Sequence, residues 1–385
     1  MSLKKIITVI GARPQIIKAA AISRAISVEF PHELEELIVH TGQHYDENMS
    51  DVFFQELGIP KPAHNLNVGS GTHGSMTAKM LEGLATLFSE ENPDAVLVYG
   101  DTNSTIAASL AAAKMHIPVV HVEAGLRSYN KSMPEEINRI ACDHMSSLLF
   151  SPTLAGMNNL LREGFDLSPV KKASIDRPNV YHCGDVMYDN SLYFSELSDK
   201  QSTIINEYGL TKEQFILCTI HRDNNTDDAL SLSGILTALL RVQEHTGFDI
   251  ILPLHPRTKK KIDELISPEL LRLIDQNKAI KIVPPAGFLD IIALEKHARL
   301  IITDSGGLQK EAFFFQKPCV ILREQTEWIE IVSNGNACLA GANEEVIVQT
   351  SLALLSKTDF TYPSLFGDGN AAKFICKKII EDLVC

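Results

Sequence analysis

The chain of 385 residues is too long for one compact core, so we expect two domains of ordinary size. Its formal net charge of −13 argues against a surface that binds nucleic acid or anionic membranes, because such surfaces carry an excess of basic residues. Although 45% of the residues are hydrophobic, no apolar run is long and pure enough to span a bilayer, and residues 1–6 lead into a strand pattern rather than a signal peptide, so we expect a cytoplasmic protein.

Strand-like apolar runs alternate with helix-periodic runs along the whole chain. In the first half, strands are predicted at residues 6–10, 37–40, 95–99 and 119–122, with helices from Pro14, around 76–88, from Ser104 and from Pro134. After a polar stretch at 198–212, strands are predicted at 215–220, 250–254, 280–283, 300–303 and 320–322, with helices at 230–242 and 370–384. This βαβα order predicts two doubly wound halves of the α/β class, each with a parallel sheet.

Three carboxylates follow or lie near the predicted strands of the first half. Asp101 and Glu123 come directly after buried strands, so both should emerge at the carboxyl edge of the sheet, where ligands bind. Glu135 begins the next helix, where its carboxylate could instead complement the helix dipole. Grouped with Arg127 and Arg139, the three acids predict a site for proton transfer.

The turn between the first strand and the first helix predicts an anion site. Gly11 permits a tight backbone, and Pro14 suits the first helical position. Arg13 and Lys18 flank the helix N-terminus, where anions bind. An ordinary strand–helix turn with solvated cations is the alternative interpretation.

Polar residues also follow the predicted strands of the second half. His221 ends the first of these strands beside Arg222, which favours a phosphate or leaving-group role over that of a core histidine. His255, Arg257 and Arg323 add further polar groups at strand ends of the same half.

A Ser-Gly-Gly turn follows the strand predicted at 300–303. Ser305, Gly306 and Gly307 begin a helix whose free backbone N–H groups can hold a diphosphate, although the glycines alone could form a plain turn. Glu311 could accept hydrogen bonds from ribose hydroxyls. The seven cysteines are scattered without a CxxC pair, so we expect reduced thiols and no metal site.

Taken together, these motifs resemble the non-hydrolysing UDP-N-acetylglucosamine 2-epimerases in order and spacing, from the first strand to the Gly-Asp-Gly turn at 367–369. The resemblance implies a GT-B type architecture, with two Rossmann-like doubly wound domains and an interdomain cleft. The N-terminal domain is expected at 1–185, completed by the C-terminal helix at 366–385, and the UDP-binding C-terminal domain at 186–365. Members of this family act without nicotinamide or metal, so no cofactor is expected.

The resemblance also implies a reaction and a role for each matching residue. Elimination of UDP across C1 and C2 gives a 2-acetamidoglucal, and UDP adds back after the proton returns on the other face, which interconverts UDP-GlcNAc and UDP-ManNAc. Asp101, Glu123 and Glu135 match the acid/base carboxylates, and His221 matches the catalytic histidine. The residues expected to bind UDP or the sugar are Arg13, Lys18, Arg139, His255, Arg257, Phe288, Ser305, Gly306, Gly307, Glu311 and Arg323.

Two runs depart from bacterial members that act on UDP-GlcNAc. Arg222-Asp223-Asn224 stands where those members have Arg-Arg-Glu, and Trp328 follows Thr326-Glu327 where they have arginine. These runs resemble relatives that epimerise UDP-2,3-diacetamido-2,3-dideoxyglucuronic acid, which is the alternative substrate. Trp328 is expected either to pack against the core or to face the substrate.

Three other functions stay open at this point. A GT-B glycosyltransferase would share the Ser305 turn but would not need Asp101, Glu123 and Glu135 together. A UDP-sugar binding protein without catalysis and a hydrolysing epimerase are the others. We expect a homodimeric sugar-nucleotide 2-epimerase that makes UDP-ManNAc or a close relative for surface polysaccharide.

Overall fold

The computed structural model describes residues 3–42 and 58–383 and contains two compact units. The first unit comprises Met1–Asn190 with Ser364–Cys385, and the second comprises Ser191–Pro363. The expected domain boundaries, after residues 185 and 365, lie within a few residues of the boundaries of these two units. One continuous helix, at positions 186–201, crosses the first of them. None of the described helices combines the length and the apolarity that crossing a membrane requires.

The first unit is built on a parallel sheet. Its described strands are β1 (Lys4–Ile10), β2 (Leu34–His40), β3 (His64–Asn65), β4 (Ala95–Tyr99), β5 (Val119–Val122), β6 (Leu148–Ser151) and β7 (Asn179–His182). They lie in the order β3-β2-β1-β4-β5-β6-β7. The helices between them are α1 (Arg13–Glu29), α2 (His73–Glu91), α3 (Asn103–Lys114), α4 (Pro134–Met145) and α5 (Leu154–Arg162), and α6 (Val186–Gln201) contains the unit boundary.

The second unit repeats this construction. Its strands are β8 (Phe215–Thr219), β9 (Asp249–Pro253), β10 (Ile280–Val283), β11 (Leu300–Thr303), β12 (Cys319–Ile321) and β13 (Ala337–Leu339), in the order β10-β9-β8-β11-β12-β13. Its helices are α7 (Ile204–Glu207), α8 (Asp223–Thr226), α9 (Ala229–Thr246), α10 (Pro256–Leu265), α11 (Pro268–Gln276), α12 (Phe288–His297), α13 (Gly306–Phe314), α14 (Ile329–Ser333) and α15 (Glu344–Ser356). The predicted α/β class with two doubly wound parallel sheets is confirmed.

Strands β4, β5, β10 and β11 have the predicted bounds, because each is a short apolar run between turns. In β4 all five residues are fully buried, as expected where helices cover both faces of the sheet. Strands β3, β6, β7 and β13 were not predicted. The polar stretch at 198–212, after which the strand–helix alternation was predicted to restart, includes the end of α6 and the short helix α7.

Strand order fixes where each unit can bind a ligand. From β1 the chain adds β2 on one side and β4 on the other, and from β8 it adds β9 and β11 in the same way. At such a reversal the connecting helices leave a crevice outside the carboxyl ends of the two central strands. The segments that follow β1, β4, β8 and β11 therefore carry several of the candidate site residues, and Glu123 follows the neighbouring strand β5.

The last helix, α16 (Ala371–Asp382), belongs to the first unit and packs against α1. Its N-terminus is held by Asp189, whose carboxylate accepts hydrogen bonds from the backbone N–H groups of Ala371 (3.1 Å) and Ala372 (2.7 Å). At its other end Asp382 accepts hydrogen bonds from Tyr181 (2.5 Å) and Asn179 (2.8 Å). Side chains of the first 190 residues thus anchor both ends of α16.

The Asp189 contact predicts a pH-dependent stability. Burial raises the pKa of Asp189 to about 6, because it outweighs the two N–H donors that favour the ionised form. A carboxyl with a raised folded-state pKa contributes stability below its unfolded pKa and loses it as the pH rises through the folded value. The unfolding free energy of the wild type, minus that of Asp189→Asn, should therefore fall by about 2–3 kcal/mol between pH 4 and pH 7. Urea unfolding at four pH values measures this difference, and a constant difference would contradict the assignment.

Candidate functional site

In the first unit, two ion pairs lie beyond the carboxyl ends of β4 and β5. The Lys18 ammonium on α1 pairs with the Glu123 carboxylate, and the Arg139 guanidinium on α4 pairs with Asp101. The Lys18 and Glu123 side chains are 15% and 12% exposed, whereas Asp101 is 31% exposed. The structure thus brings four of the predicted site residues together at the edge of one sheet.

The backbone around these acids is unusual. Glu123 has a φ of +77°, a left-handed conformation that costs free energy for a residue with a side chain. It is held there because the N–H groups of Glu123 and Ala124 both donate to the Phe150 carbonyl at 3.0 Å. Gly100 has a φ of +60°, and a Cβ at this position would lie 3.2 Å from a Glu123 carboxylate oxygen and 3.4 Å from the Lys18 nitrogen. Glycine at position 100 therefore leaves room for the ion pair.

The surroundings of Asp101 change its affinity for a proton. Burial raises the pKa of Asp101, and the charge on Glu123 adds to this effect, which together outweigh Arg139 and Lys18. Burial alone would lower the pKa of Lys18, but Glu123 raises it above its ordinary value, so Lys18 stays charged. An acid that holds its proton more tightly thus lies near an ionised carboxylate. Such a pair can donate and accept protons in one reaction.

The turn between β1 and α1 is tightly packed. A Cβ at Gly11 would overlap the hydroxyl oxygens of Ser104 (2.0 Å) and Thr41 (2.3 Å), so only glycine fits. Gln15 accepts hydrogen bonds from the Gly11 and Ala12 N–H groups and donates to the Tyr99 carbonyl at 2.9 Å. Gln15 therefore ties this turn to the end of β4, a role that was not predicted. Arg13 is exposed at the first position of α1.

Adjacent glutamates at the start of α4 have opposite environments. Glu135 is exposed, whereas Glu136 is 1% exposed and accepts the N–H groups of Ser128 and Tyr129, both at 2.9 Å. The Arg139 guanidinium lies 3.4 Å from Glu136 as well as against Asp101. Glu136 thus orders the loop before α4, and Glu135 faces solvent on the same turn.

Arg127 does not join the group of acids in which it was expected. Its side chain is 1% exposed and pairs with Asp143 at 2.7 Å and with Glu163 at 2.6 Å. In the turn after Glu123, Gly125 has a φ of +79°. This turn directs the chain so that Arg127 contacts Asp143 on α4 and Glu163, which directly follows α5. The predicted grouping of Arg127 with the acids is therefore wrong.

In the second unit, His221 at the end of β8 meets Asp304 at the end of β11. The His221 Nδ1 lies 2.9 Å from an Asp304 carboxylate oxygen, and the histidine side chain is 52% exposed while Asp304 is fully buried. Asp304 also accepts the N–H groups of His221 (3.1 Å) and Arg222 (3.0 Å) and the Asn225 amide (3.0 Å). Burial alone would raise the pKa of Asp304, but His221 and the N–H donors lower it. Asp304, which was not predicted as a site residue, thus fixes one ring nitrogen of an otherwise exposed histidine.

The Ser-Gly-Gly turn forms the start of α13, as its sequence indicated. The Ser305 hydroxyl accepts the Leu308 N–H at 3.4 Å and caps the helix. A Cβ at Gly306 would meet no atom closer than 3.8 Å, so glycine keeps the first turn of this helix open. Glu311 is half-buried farther along the same helix. The first turn of such a helix offers N–H groups to an anion.

Several side chains brace this helix start. Arg323 forms a two-point pair with Glu327 at 2.9 and 3.0 Å, next to Gly306. The Trp328 indole donates to the Gly306 carbonyl at 3.0 Å, and the Lys310 ammonium lies 4.1 Å from the centre of its ring. With 7% of its surface exposed, Trp328 fulfils the packing expectation.

The other predicted binding residues of the second unit lie at the starts of α10 and α12. His255 is exposed and caps α10 by accepting the Arg257 N–H at 3.3 Å. Arg257 pairs with Asp227 at 2.7 Å and with Asp223. Phe288 is 8% exposed and packs edge-on against Phe194, with ring centres 4.9 Å apart. These three residues show no geometry of their own that defines a ligand.

Among residues 3–42 and 58–383, no group of three or more His, Cys, Asp or Glu side chains is placed to hold a metal ion.

Comparison with known proteins gives a consistent family. The family model described as UDP-N-acetylglucosamine 2-epimerase matches residues 28–380. A UDP-2,3-diacetamido-2,3-dideoxy-D-glucuronate 2-epimerase from Pseudomonas aeruginosa is 45% identical over 377 residues, which cover 98% of this chain and 99% of the relative. A UDP-N-acetylglucosamine 2-epimerase from Methanocaldococcus jannaschii is 40% identical over 376 residues, which cover 97% and 98% of the two chains.

Solved structures agree with the sequence relatives. The crystal structure of Methanocaldococcus jannaschii UDP-GlcNAc 2-epimerase in complex with UDP-GlcNAc and UDP matches with a TM-score of 0.81 and 39% identity. The match covers 97% of this chain and 99% of that one.

The Asp304 contacts predict a large effect on stability. Asp304→Ala should lower the free energy of unfolding by about 3 kcal/mol, because it leaves buried N–H groups without an acceptor. The control Asp227→Ala removes a carboxylate that is 41% exposed and should change this free energy by less than about 1 kcal/mol. Denaturant unfolding of the three proteins makes the comparison, and equal losses would show that Asp304 does not hold the turn.

Proposed function

The chain belongs to the UDP-N-acetylglucosamine 2-epimerase family and is a sugar-nucleotide 2-epimerase, and on this premise we propose that it interconverts UDP-GlcNAc and UDP-ManNAc. The observation that carries the proposal is the pair of acids at one sheet edge. Asp101 has a raised pKa, and Glu123 is paired with Lys18. Inversion at C2 needs one group that takes a proton and one that returns a proton on the other face.

The chemistry explains why acids and cations are both required. The hydrogen on C2 is weakly acidic, so its loss must be coupled to departure of the leaving group. In the proposed elimination the C2–H and C1–O bonds break, a C1=C2 double bond forms, and UDP leaves with the electron pair. A carboxylate of the first unit takes the proton, and an acid returns one to the opposite face before UDP adds back. Asp101, Glu123 and Glu135 are the proposed acid/base groups.

We assign UDP to residues of the second unit. The open first turn of α13 offers N–H groups to the diphosphate, and Glu311 is proposed to bind the ribose. His221, oriented by Asp304, is the proposed catalytic histidine beside the leaving phosphate. The remaining proposed substrate contacts are Arg13, Lys18, Arg139, His255, Arg257, Phe288 and Arg323.

UDP-2,3-diacetamido-2,3-dideoxyglucuronic acid is a second candidate substrate. The 45% identical relative from Pseudomonas aeruginosa is named as a 2-epimerase of this sugar. The runs at Asp223 and Trp328 differ from those of UDP-GlcNAc enzymes and resemble those of relatives that epimerise the uronic acid. The uronic acid adds a carboxylate to the sugar, which would require a further cation.

One experiment separates these substrates. The protein is incubated in D2O with UDP-GlcNAc and, separately, with the diacetamido uronic analogue, and C2 is followed by NMR. We expect deuterium at C2 and formation of the epimer with UDP-GlcNAc. Turnover of the analogue alone would assign the second substrate, and accumulation of UDP with a reducing sugar would indicate hydrolysis. Binding of UDP without exchange in either sample would contradict an epimerase.

The assembly and setting are part of the same proposal. We infer a cytoplasmic homodimer that supplies an activated sugar for surface polysaccharide. Light scattering should give twice the 42.5 kDa of one chain, and a monomeric mass would contradict the dimer.

Glu123→Gln tests the acid/base assignment directly. The variant keeps the size of the side chain but cannot take a proton, so C2 exchange should fall by about 10²–10⁴-fold while UDP affinity stays nearly unchanged. Glu90→Gln, which alters an exposed residue of α2, is the matched control and should exchange at the wild-type rate. A large loss of UDP binding by Glu123→Gln would instead make Glu123 a structural residue.

A further inference from the structure

A buried histidine–aspartate pair lies behind the two acids of the first unit. His121 in β5 and Asp143 in α4 are both fully buried, and the proposed reaction uses neither of them. A buried charge is costly unless it is fully paired, so a pair of this kind needs a physical reason. Its hydrogen bonds supply one.

His121 contacts an acceptor on each side of its ring. Its Nε2 lies 2.8 Å from the Gly100 carbonyl oxygen, and its Nδ1 lies 2.7 Å from an Asp143 carboxylate oxygen. A carbonyl oxygen cannot donate, so Nε2 must carry a proton, and the Asp143 carboxylate accepts a hydrogen bond from Nδ1, which carries the second proton. The ring is therefore an imidazolium that donates from both nitrogens.

Asp143 continues the connection on its other oxygen. This oxygen accepts the Gly125 N–H at 3.1 Å and pairs with Arg127 at 2.7 Å. Gly100 directly precedes Asp101, and Gly125 lies two residues after Glu123. A continuous chain of hydrogen bonds, Gly100–His121–Asp143–Gly125, thus joins the turn that carries one acid to the turn that carries the other.

The two turns need such support because the backbone of Glu123 is strained and Gly100 is packed against its side chain. Glu123 has a φ of +77°, and Gly100, at +60°, lies against the Glu123 carboxylate and the Lys18 ammonium. A shift of the Gly100 carbonyl would move the start of the Asp101 turn relative to Glu123. Displacements of about 1 Å in a reacting geometry can cost about 10²-fold in rate.

We propose that His121 and Asp143 are positioning residues that set the separation of Asp101 and Glu123 for proton transfer at C2. The inference rests on the proposed function, since it assumes that these two acids carry the chemistry. Neither His121 nor Asp143 touches the substrate.

The charge state of the pair agrees with this geometry. Burial alone would lower the pKa of His121, but its neighbour Cys142 and the Asp143 carboxylate raise that pKa well above its ordinary value. Burial alone would raise the pKa of Asp143, but His121 and Arg127 lower it. The two residues therefore stay charged and bonded to each other.

Two substitutions of His121 separate its two contacts. In His121→Gln the amide nitrogen can take the place of Nε2 and keep the bond to Gly100, whereas in His121→Asn it can only take the place of Nδ1, toward Asp143. We expect His121→Gln to retain C2 exchange within a few fold and His121→Asn to lose about 10- to 100-fold in kcat, with little change in KM or UDP affinity. The pH–rate profile of His121→Asn should also shift, because the separation of Asp101 and Glu123 sets their proton affinities.

A folded His121→Asn variant that keeps the wild-type kcat and pH–rate profile would overturn the positioning role, because the Gly100 carbonyl would then need no support from the ring. Wild-type protein without C2 exchange would instead overturn the proposed function. Should His121→Asn fail to fold, the ¹⁵N NMR spectrum of the wild-type ring still decides. Two protonated ring nitrogens at pH 8 support the connection, and one protonated nitrogen contradicts it.

Discussion

The structure of both units depends on neutralising charge at the carboxyl edge of a parallel sheet. Charged side chains that leave water lose free energy unless partners from other elements meet them. In the first unit, Lys18 on α1 pairs with Glu123, and Arg139 on α4 pairs with Asp101. In the second unit Asp304 is met by backbone N–H groups and by His221. These partners offset the burial of Asp101 only in part, so its pKa stays raised beside the Lys18–Glu123 pair.

Backbone conformation serves this arrangement at a few positions. The left-handed φ of Glu123 turns its carboxylate toward Lys18, and the glycine at position 100 leaves space for the pair. At Gly11 the requirement is close packing against Ser104 and Thr41 rather than an unusual φ. One such conformational cost thus falls where Glu123 emerges, and hydrogen bonds from β6 and from the His121–Asp143 pair to the same turn offset it.

Much of the fold could be predicted because parallel strands read as short apolar runs that end in turns. Positions directly after such runs, such as Asp101 and His221, were therefore placed at the correct edge of a sheet. Partners were harder to predict, because spacing along the chain does not reveal which distant element approaches. Arg127 was grouped with the nearby acids, but the turn at Gly125 leads it to Asp143. The rotation of α4 about its axis decides that Glu136 is buried and Glu135 is exposed, and the sequence pattern does not reveal that rotation. Gln15 and Asp304 accept hydrogen bonds from backbone N–H groups, and the pattern of side chains does not indicate such contacts.

The central claim is that a carboxylate of the first unit takes the proton from C2 of the sugar. A crystal structure of the protein with its UDP-sugar bound tests this claim most directly. The account predicts that C2 lies within about 3.5 Å of a carboxylate oxygen of Asp101, Glu123 or Glu135. A bound sugar whose C2 lies beyond the reach of all three carboxylates would contradict it.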